Sequence, residues 1–380
     1  IRHGSWKYLD CYEVKVNGRE KTVRRLSPDR YEYHVYQVIA HRLSSGDIFL
    51  RDSISYRSFE DDLVDDKTWE NKDRIIEELN LPFLKRPVDE ILAELEEKLE
   101  TRFHYVNRRI RGGKNRSIKI TETGKWVLSD TRTENDTNHP VLAQMQQAGI
   151  ADILNFVDRQ CNFMSLFPHI RNINTSGVAD KDSLTACLVS MGTNQSLTKM
   201  SEISDLTYSK LSATYDNYIR PETLKNAIDC INNATHRLPV SKLYNINNLI
   251  HSSSDGQKFD SRDTVNARHS PKYFGLGKGV SVVTLNANHI PLNATNIGAN
   301  EHESHYVFDL LYNNTSDIIP DIHSTDTHGA NKINFGILLP FGHRFAPRFK
   351  DLKERMKDLC GFRNLSHYRD MFFKPADKVN

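Results

Sequence analysis

The sequence has 380 residues, with 51 lysines and arginines against 49 acids, and this near balance by itself points to no class of partner. No apolar run reaches the length of about 18 residues that a membrane-spanning helix needs; the strongest short one, Ile333 to Phe341, is broken by Asn334, Gly336 and Pro340. Five cysteines, odd in number, widely spaced and never in a Cys-x-x-Cys pair, exclude a disulfide framework and a cysteine zinc site, and fit a reducing cytoplasm.

The length predicts two or three units. In the first, Tyr12 to Arg24 reads as a hairpin, with the Asn17-Gly18 dipeptide as its turn. Ser27 and Pro28 then open a helix with the apolar stripe Tyr31, Val35, Val38, Ile39 and Leu43, closed by Gly46. Residues 46–57 read as a short strand or loop. A long helix follows Pro87, with Val88, Ile91, Leu92, Leu95, Leu99 and Phe103 at helical spacing.

Charge is unevenly spread. From Arg102 to Lys125 there are eight lysines and arginines against the single acid Glu122. Their centre is a glycine-containing loop from Asn107 to Arg116. Arg108, Arg109, Arg111, Lys114 and Arg116 on such a loop suit a phosphate backbone, which needs charge and hydrogen-bond donors but no fixed register.

The polar stretch Ser129 to Asn138 marks a domain boundary, and beyond it the pattern is helical: Val141 to Val157, Ser183 to Met191, Leu197 to Ile203, Thr207 to Tyr215 and Pro221 to Ala234. From Leu249 the period changes to two. Ile250 to Ser253, Gly279 to Leu285 and Ile290 to Ile297 read as strands, followed by a helix capped by Asn300 with Glu303, a strand from Ile318 to Ser324, and a helix from Asn331 to Leu339. Strand, strand, strand, helix, strand, helix is the order of a ribonuclease H-like mixed sheet. The predicted class is therefore α/β (mixed α+β overall), divided into a small N-terminal α+β region (1–128), a helical region (129–247) and a catalytic region (248–380).

In that architecture the first and fourth strands lie side by side, which would make neighbours of Asp255, in Ser252-Ser-Ser-Asp-Gly-Gln-Lys-Phe259, and Asp326, in His323-Ser-Thr-Asp-Thr-His-Gly329. Asp255-Gly256 would end the first strand. Hard divalent cations take oxygen ligands, and a phosphoryl-transfer site commonly holds two of them about 3.5–4 Å apart between carboxylates. Mg²⁺ or Mn²⁺ on Asp255 and Asp326 is the implied chemistry, with Lys258 and Arg348 as candidate phosphate contacts. His323 and His328 flank Asp326 and could orient a phosphate or simply support the loop.

These two segments, together with Lys272-Tyr-Phe-Gly275, Glu301-His-Glu-Ser-His-Tyr-Val-Phe-Asp309, Phe345-Ala-Pro-Arg348, Gly192 to Met200 and Ile219 to Asn226, closely resemble the Tn-three family of replicative transposases. The resemblance implies an acidic-triad enzyme that nicks double-stranded DNA at transposon terminal inverted repeats and joins the freed 3′-hydroxyls to target DNA. A homodimer as the active complex and a bacterial cytoplasmic location are likewise implied. Asp255 and Asp326 match the first two acids of the triad. Its third, a glutamate on a helix well downstream, has no match before Asn380: Glu301 and Glu303 lie between the aspartates, and Glu354 follows too soon. With no methionine at Ile1 and no signal peptide, the chain reads as a fragment, lacking the family's N-terminal end-recognition region and expected to be inactive alone. Two other readings stand beside this one. A non-catalytic DNA-binding or assembly module would use the basic loop and the helices, while a carboxylate-pair glycosidase would leave the basic segments without a purpose.

Overall fold

A hairpin closed by an Asn-Gly turn begins the described chain. Strands β1 (Leu9–Val16) and β2 (Arg19–Leu26) pair antiparallel around it, with Asn17 at φ 54° and Gly18 at φ 77°. Two consecutive positive φ values give the turn the twist a hairpin needs, which these two residue types tolerate. This computed structural model describes residues 9–53, 56–123, 126–128, 144, 147–171, 177–261, 266–350, 361–362, 365–369, 371 and 377–378. The chain divides into two compact units, 1–85 and 86–380.

In the first unit, helix α1 (Pro28–Ser44) starts on Pro28 as expected, and the chain turns away at Gly46, φ 76°. None of its residues is buried, so the stripe predicted from Tyr31 to Leu43 is at best half-covered. Two short helices follow, α2 (Asp66–Glu70), capped by the Asp65 carboxylate, and α3 (Lys72–Glu78). The described part of 46–57 forms no strand.

The second unit opens with α4 (Val88–Arg111). Its buried residues are Ile91, Phe103, Asn107 and Ile110, and Phe103 meets Tyr368 edge-on at 5.6 Å. Here the reading of a basic loop from Asn107 is corrected: Arg108, Arg109 and Arg111 lie on the last helical turn, and the loop begins at Gly112. The helix continues because Ile110 keeps the spacing set by Phe103 and the Asn107 amide donates to the Phe103 carbonyl at 3.0 Å. Three arginines in the last turn also favour the helix by facing its negative end. Strands β3 (Ile118–Ile120) and β4 (Trp126–Leu128) form a small antiparallel pair beyond it.

Five helices among the described residues make the next layer: α5 (Ile150–Cys161), α6 (Lys181–Gly192), α7 (Leu197–Ile203), α8 (Tyr208–Tyr218) and α9 (Pro221–His236). Side-chain oxygens of Asp180, Ser196 and Thr207 cap three of them, satisfying N–H groups that the helix leaves unpaired. They enclose Phe163, Met164, Phe167, Leu184, Cys187 and Leu211. The first begins at Ile150, later than the predicted Val141; residues 147–149 are not helical, and Val141 itself, like the boundary stretch Ser129 to Asn138, lies outside the described residues.

The sheet that follows is mixed. It contains β5 (His251–Asp260), β6 (Arg268–His269), β7 (Lys278–Ala287), β8 (Ile290–Gly298), β9 (Ile322–Thr325) and β10 (Arg344–Phe345). Its path is β10-β9-β5-β7-β6, with β8 also on β7. β5 lies between β9, which is parallel to it, and β7, which is antiparallel. The first and fourth predicted strands are therefore neighbours, as read from the sequence. Helices α10 (Pro271–Phe274), α11 (Val307–Tyr312) and α12 (Lys332–Leu338) complete this part. Val307, Leu310 and Leu311 of α11 and Leu338 of α12 bury themselves against Val283, Leu285, Ala287, Ile290, Leu292 and Ile297 of the sheet.

Three local expectations change. Asn300 caps nothing; a single 3-10 turn from Glu303 to Tyr306, capped by His302, precedes α11. β9 begins at Ile322 rather than Ile318. Asp255-Gly256 is no strand end, because antiparallel pairing to β7 carries β5 on to Asp260. No helix among the described residues is long and apolar enough to cross a membrane.

Within the helical layer, the buried Asp158 carboxylate accepts the Met164 N–H at 2.9 Å and pairs with Lys181 at 2.5 Å. Lys181 is largely exposed, so most of the stabilisation comes from satisfying the Met164 amide. Asp158→Ala is expected to destabilise the protein by about 2 kcal/mol, measured as a lower denaturant midpoint at unchanged slope.

Candidate carboxylate site

The pairing of β5 with β9 runs from His251↔Ile322 to Ser254↔Thr325. Asp255 and Asp326 are the residues immediately after that last pair, so the two aspartates stand at adjacent positions where the parallel ladder ends. Both are exposed, and both line one cavity of about 560 Å³ together with Lys258, Lys272, Tyr273, Asn300, His302, Glu303 and His328.

Local hydrogen bonds orient each carboxylate. Asp255 Oδ1 accepts the N–H of Gly256 at 2.9 Å. Asp326 Oδ1 accepts those of His328 and Gly329 at 2.8 and 3.0 Å, the pattern of an aspartate-centred turn. No lysine or arginine among the described residues makes an ion pair with either group. Two carboxylates so arranged offer hard oxygen donors of the kind Mg²⁺ and Mn²⁺ take. They are a partial set: among the described residues no three His, Cys, Asp or Glu side chains lie close enough together to hold a metal.

Glu303 enters the cavity by a route the sequence did not suggest. Side chains alternate along β5, so Gly256 faces away from Asp255. A Cβ at Gly256 would lie 2.1 Å from Glu303 Oε1, so the missing side chain is the notch in which the Glu303 carboxylate sits. Ser281, across on β7, hydrogen-bonds to the same oxygen at 3.3 Å. Only a glycine inside a strand, rather than at a turn, could have signalled this close approach. Glu354, the acid that follows Asp326 too closely to match the triad, lies outside the described residues.

The flanking histidines separate. His328 is exposed and lines the cavity, whereas His323 is fully buried, between Ser252 and Ser254 of β5 and against the ring of Phe345. Burial, aided by nearby His343, pushes its pKa down to about 3, so the imidazole is neutral at pH 7 and out of reach of a phosphate.

The candidate phosphate contacts fall in two places. Lys258 lines the cavity, its ammonium bonded to the Ala299 carbonyl at 2.9 Å and lying 5.0 Å from the Tyr273 ring centre. Arg348 is exposed and its N–H donates to the Thr325 carbonyl at 2.8 Å, which puts its backbone beside the end of β9. Arg108, Arg109, Arg111, Lys114 and Arg116 gather elsewhere, at the exposed end of α4 and the loop after it. Arg109 is held by the Tyr105 hydroxyl at 3.0 Å and the Lys114 carbonyl at 2.8 Å. Arg111 and Arg116 line a hollow of about 630 Å³ with Lys119.

Residues 152–379 match the family described as Tn3 transposase DDE domain. That match covers more than half of the chain, which therefore belongs to this family. Over 336 residues the chain is 29% identical to the transposase for transposon Tn3926 of Escherichia coli, covering 85% of this chain and 33% of that protein. It is 27% identical to the transposase for transposon Tn501 of Pseudomonas aeruginosa (87% and 34%) and 30% identical to that for transposon Tn2501 of Escherichia coli (86% and 33%). The chain thus spans about a third of the length of the relatives it matches.

The notch yields a test. Gly256→Ala is expected to expel the Glu303 carboxylate, the far end of a flexible side chain, and destabilise the protein by about 1 kcal/mol, and Gly256→Ala combined with Glu303→Ala is expected to recover much of that loss. Additive melting-temperature losses in the double variant would show that the two residues do not meet.

Proposed function

We propose that this chain carries the metal-binding carboxylates of an acidic-triad DNA transposase, on a sheet of ribonuclease H-like type, and serves end cleavage and strand transfer in replicative transposition. One observation carries the reading: Asp255 and Asp326, from strands far apart in sequence, stand at adjacent positions beside one cavity. Membership of the Tn3 transposase DDE domain family supports it. So does the strand order, in which β9 and β10 run parallel to β5 and the β7–β8 hairpin continues on its other side. The division into 1–128, 129–247 and 248–380 belongs to the same proposal.

In this reading Asp255 and Asp326 hold Mg²⁺ or Mn²⁺, which when bound activates the attacking water or 3′-hydroxyl and stabilises the leaving oxygen. The aspartates' own work is to be in place beforehand. The His328 and Gly329 amides fix the Asp326 carboxylate, so little side-chain freedom remains to be lost on binding. Two carboxylates without a third bind the ion weakly, and a further acid is required for full activity. Lys258 and Arg348 meet phosphates near the reacting strand. Arg108, Arg109, Arg111, Lys114 and Arg116 contact the backbone of double-stranded DNA, either terminal repeat or target, and the active complex is a homodimer in the bacterial cytoplasm.

In the full-length transposase, Asp255→Asn and Asp326→Asn are each expected to lower end cleavage and strand joining by at least about a hundredfold while leaving duplex affinity near its original value. Undiminished cleavage would instead assign the chain a purely binding or assembly role. Replacing Arg108, Arg111, Lys114 and Arg116 by alanine is expected to weaken duplex binding without regard to sequence. The slope of log affinity against log salt would flatten by about 0.9 for each phosphate no longer neutralised, and an unchanged slope would remove this cluster from the DNA surface.

A further inference from the structure

The β5–β9 ladder is only four residue pairs long, and its last pair, Ser254↔Thr325, directly precedes the two aspartates. Ladder ends fray, and two carboxylates at adjacent positions repel one another. Backbone bonds hold β9 as far as Thr325 but stop short of Asp326 itself. At this end of the ladder the buried face carries a polar chain where apolar residues would be expected: Ser252, Ser254, His323 and Thr325 are all buried.

One direction of donation makes every contact in this chain at once. Ser252 Oγ donates to the Ile322 carbonyl at 3.3 Å and lies 2.9 Å from His323 Nδ1. A hydroxyl has a single proton, so with that proton on the carbonyl, Ser252 Oγ accepts from Nδ1, which must carry the ring's hydrogen. Nε2 is then the bare nitrogen, and Ser254 Oγ, 3.1 Å away, donates to it. The sequence of donors is Ser254 to His323 to Ser252 to Ile322. It crosses between the two strands three times, and both ring nitrogens are satisfied. The Phe345 ring, 6.2 Å from the imidazole between centres and inclined at only 12°, limits its tilt. A buried polar group costs free energy unless every partner is in place, so this arrangement tolerates one relative placement of the strands where an apolar contact would tolerate many.

We propose that His323, as its Nδ1–H tautomer, is the positioning residue of the carboxylate pair: through Ser252 and Ser254 it fastens β5 to β9 and keeps Asp255 and Asp326 adjacent for metal binding. It touches neither metal nor DNA and acts through the two strands. The inference rests on the reading that the aspartates bind a divalent cation.

Two measurements on the chain test it. Histidine-selective ¹⁵N NMR at neutral pH should find His323 neutral, protonated at Nδ1 and bare at Nε2; the opposite tautomer or a charged ring overturns the relay. Mn²⁺ affinity, followed by electron paramagnetic resonance with Asp255→Asn and Asp326→Asn as controls, should fall about tenfold or more in Ser254→Ala. It should recover in Ser254→Thr, which restores the hydroxyl, while both variants keep cooperative melting. If Ser254→Ala does not fold, Ser252→Ala replaces it, with Ser252→Thr as the restoring variant. Wild-type Mn²⁺ binding that depends on the aspartates but is unchanged in the folded serine-to-alanine variant overturns the positioning role alone. Wild-type binding that ignores Asp255 and Asp326 overturns the proposed metal site itself, and the positioning role with it.

Discussion

The register between β5 and β9 is the constraint on which the rest of this structure depends. Side chains alternate along a strand, so a slip of one residue would turn Asp326 to the face opposite Asp255 and bring Thr325 or Thr327 to its place. Backbone bonds secure the register along its length. At the start, the Asp321 carboxylate accepts the Ile250 N–H at 2.9 Å and the Asp321 N–H reaches the Ile250 carbonyl at 3.0 Å. On the far side, the N–H groups of Arg344, Ala346 and Arg348 donate to the carbonyls of Asp321, His323 and Thr325, so β9 is held from both edges up to the residue before Asp326.

The two faces of this sheet are built differently. One carries the apolar layer of Val283, Leu285 and Ala287, covered by α11 and α12, which supplies most of the hydrophobic stabilisation here. Toward the carboxylate end that same face becomes polar, with Ser252, Ser254, Ser281 and His323 buried and Glu303 lodged against Gly256. Polar groups in a core stabilise little in net terms, but they demand particular partners. Asp255 alternates to the other face of β5, and the cavity it lines with Asp326 also reaches Lys258 and Glu303, so the directional groups lie close behind the aspartates.

The basic cluster follows a different logic. Three of its arginines, Arg108, Arg109 and Arg111, belong to the last turn of α4, where a buried Phe103, Asn107 and Ile110 fix the opposite side of the helix. Charge is thereby presented from a rigid element rather than a mobile loop. In the proposed contact with DNA, long side chains still provide the freedom that backbone phosphates, which carry no fixed register, require.

Much could be read from residue order. Asn17-Gly18 determined a hairpin, Pro28 and Pro221 determined helix starts, and the change of period at Leu249 marked the sheet, because turn chemistry and side-chain spacing act over a few residues. The candidate aspartates were legible for a mixed reason: their strand order followed from local patterns, and their significance from resemblance to a family. Local patterns also misled. Asp255-Gly256 has turn chemistry, yet it sits inside a strand because β7 continues to pair past it, and the Asn107 to Arg111 segment is helical because Ile110 has a core to enter. The Glu303 carboxylate in the Gly256 notch and the neutral His323 between two serines had no local signal at all. Each depends on partners brought together only by the sheet, and hydrogen bonding and close approach are properties of distance in space, which spacing along the chain does not encode.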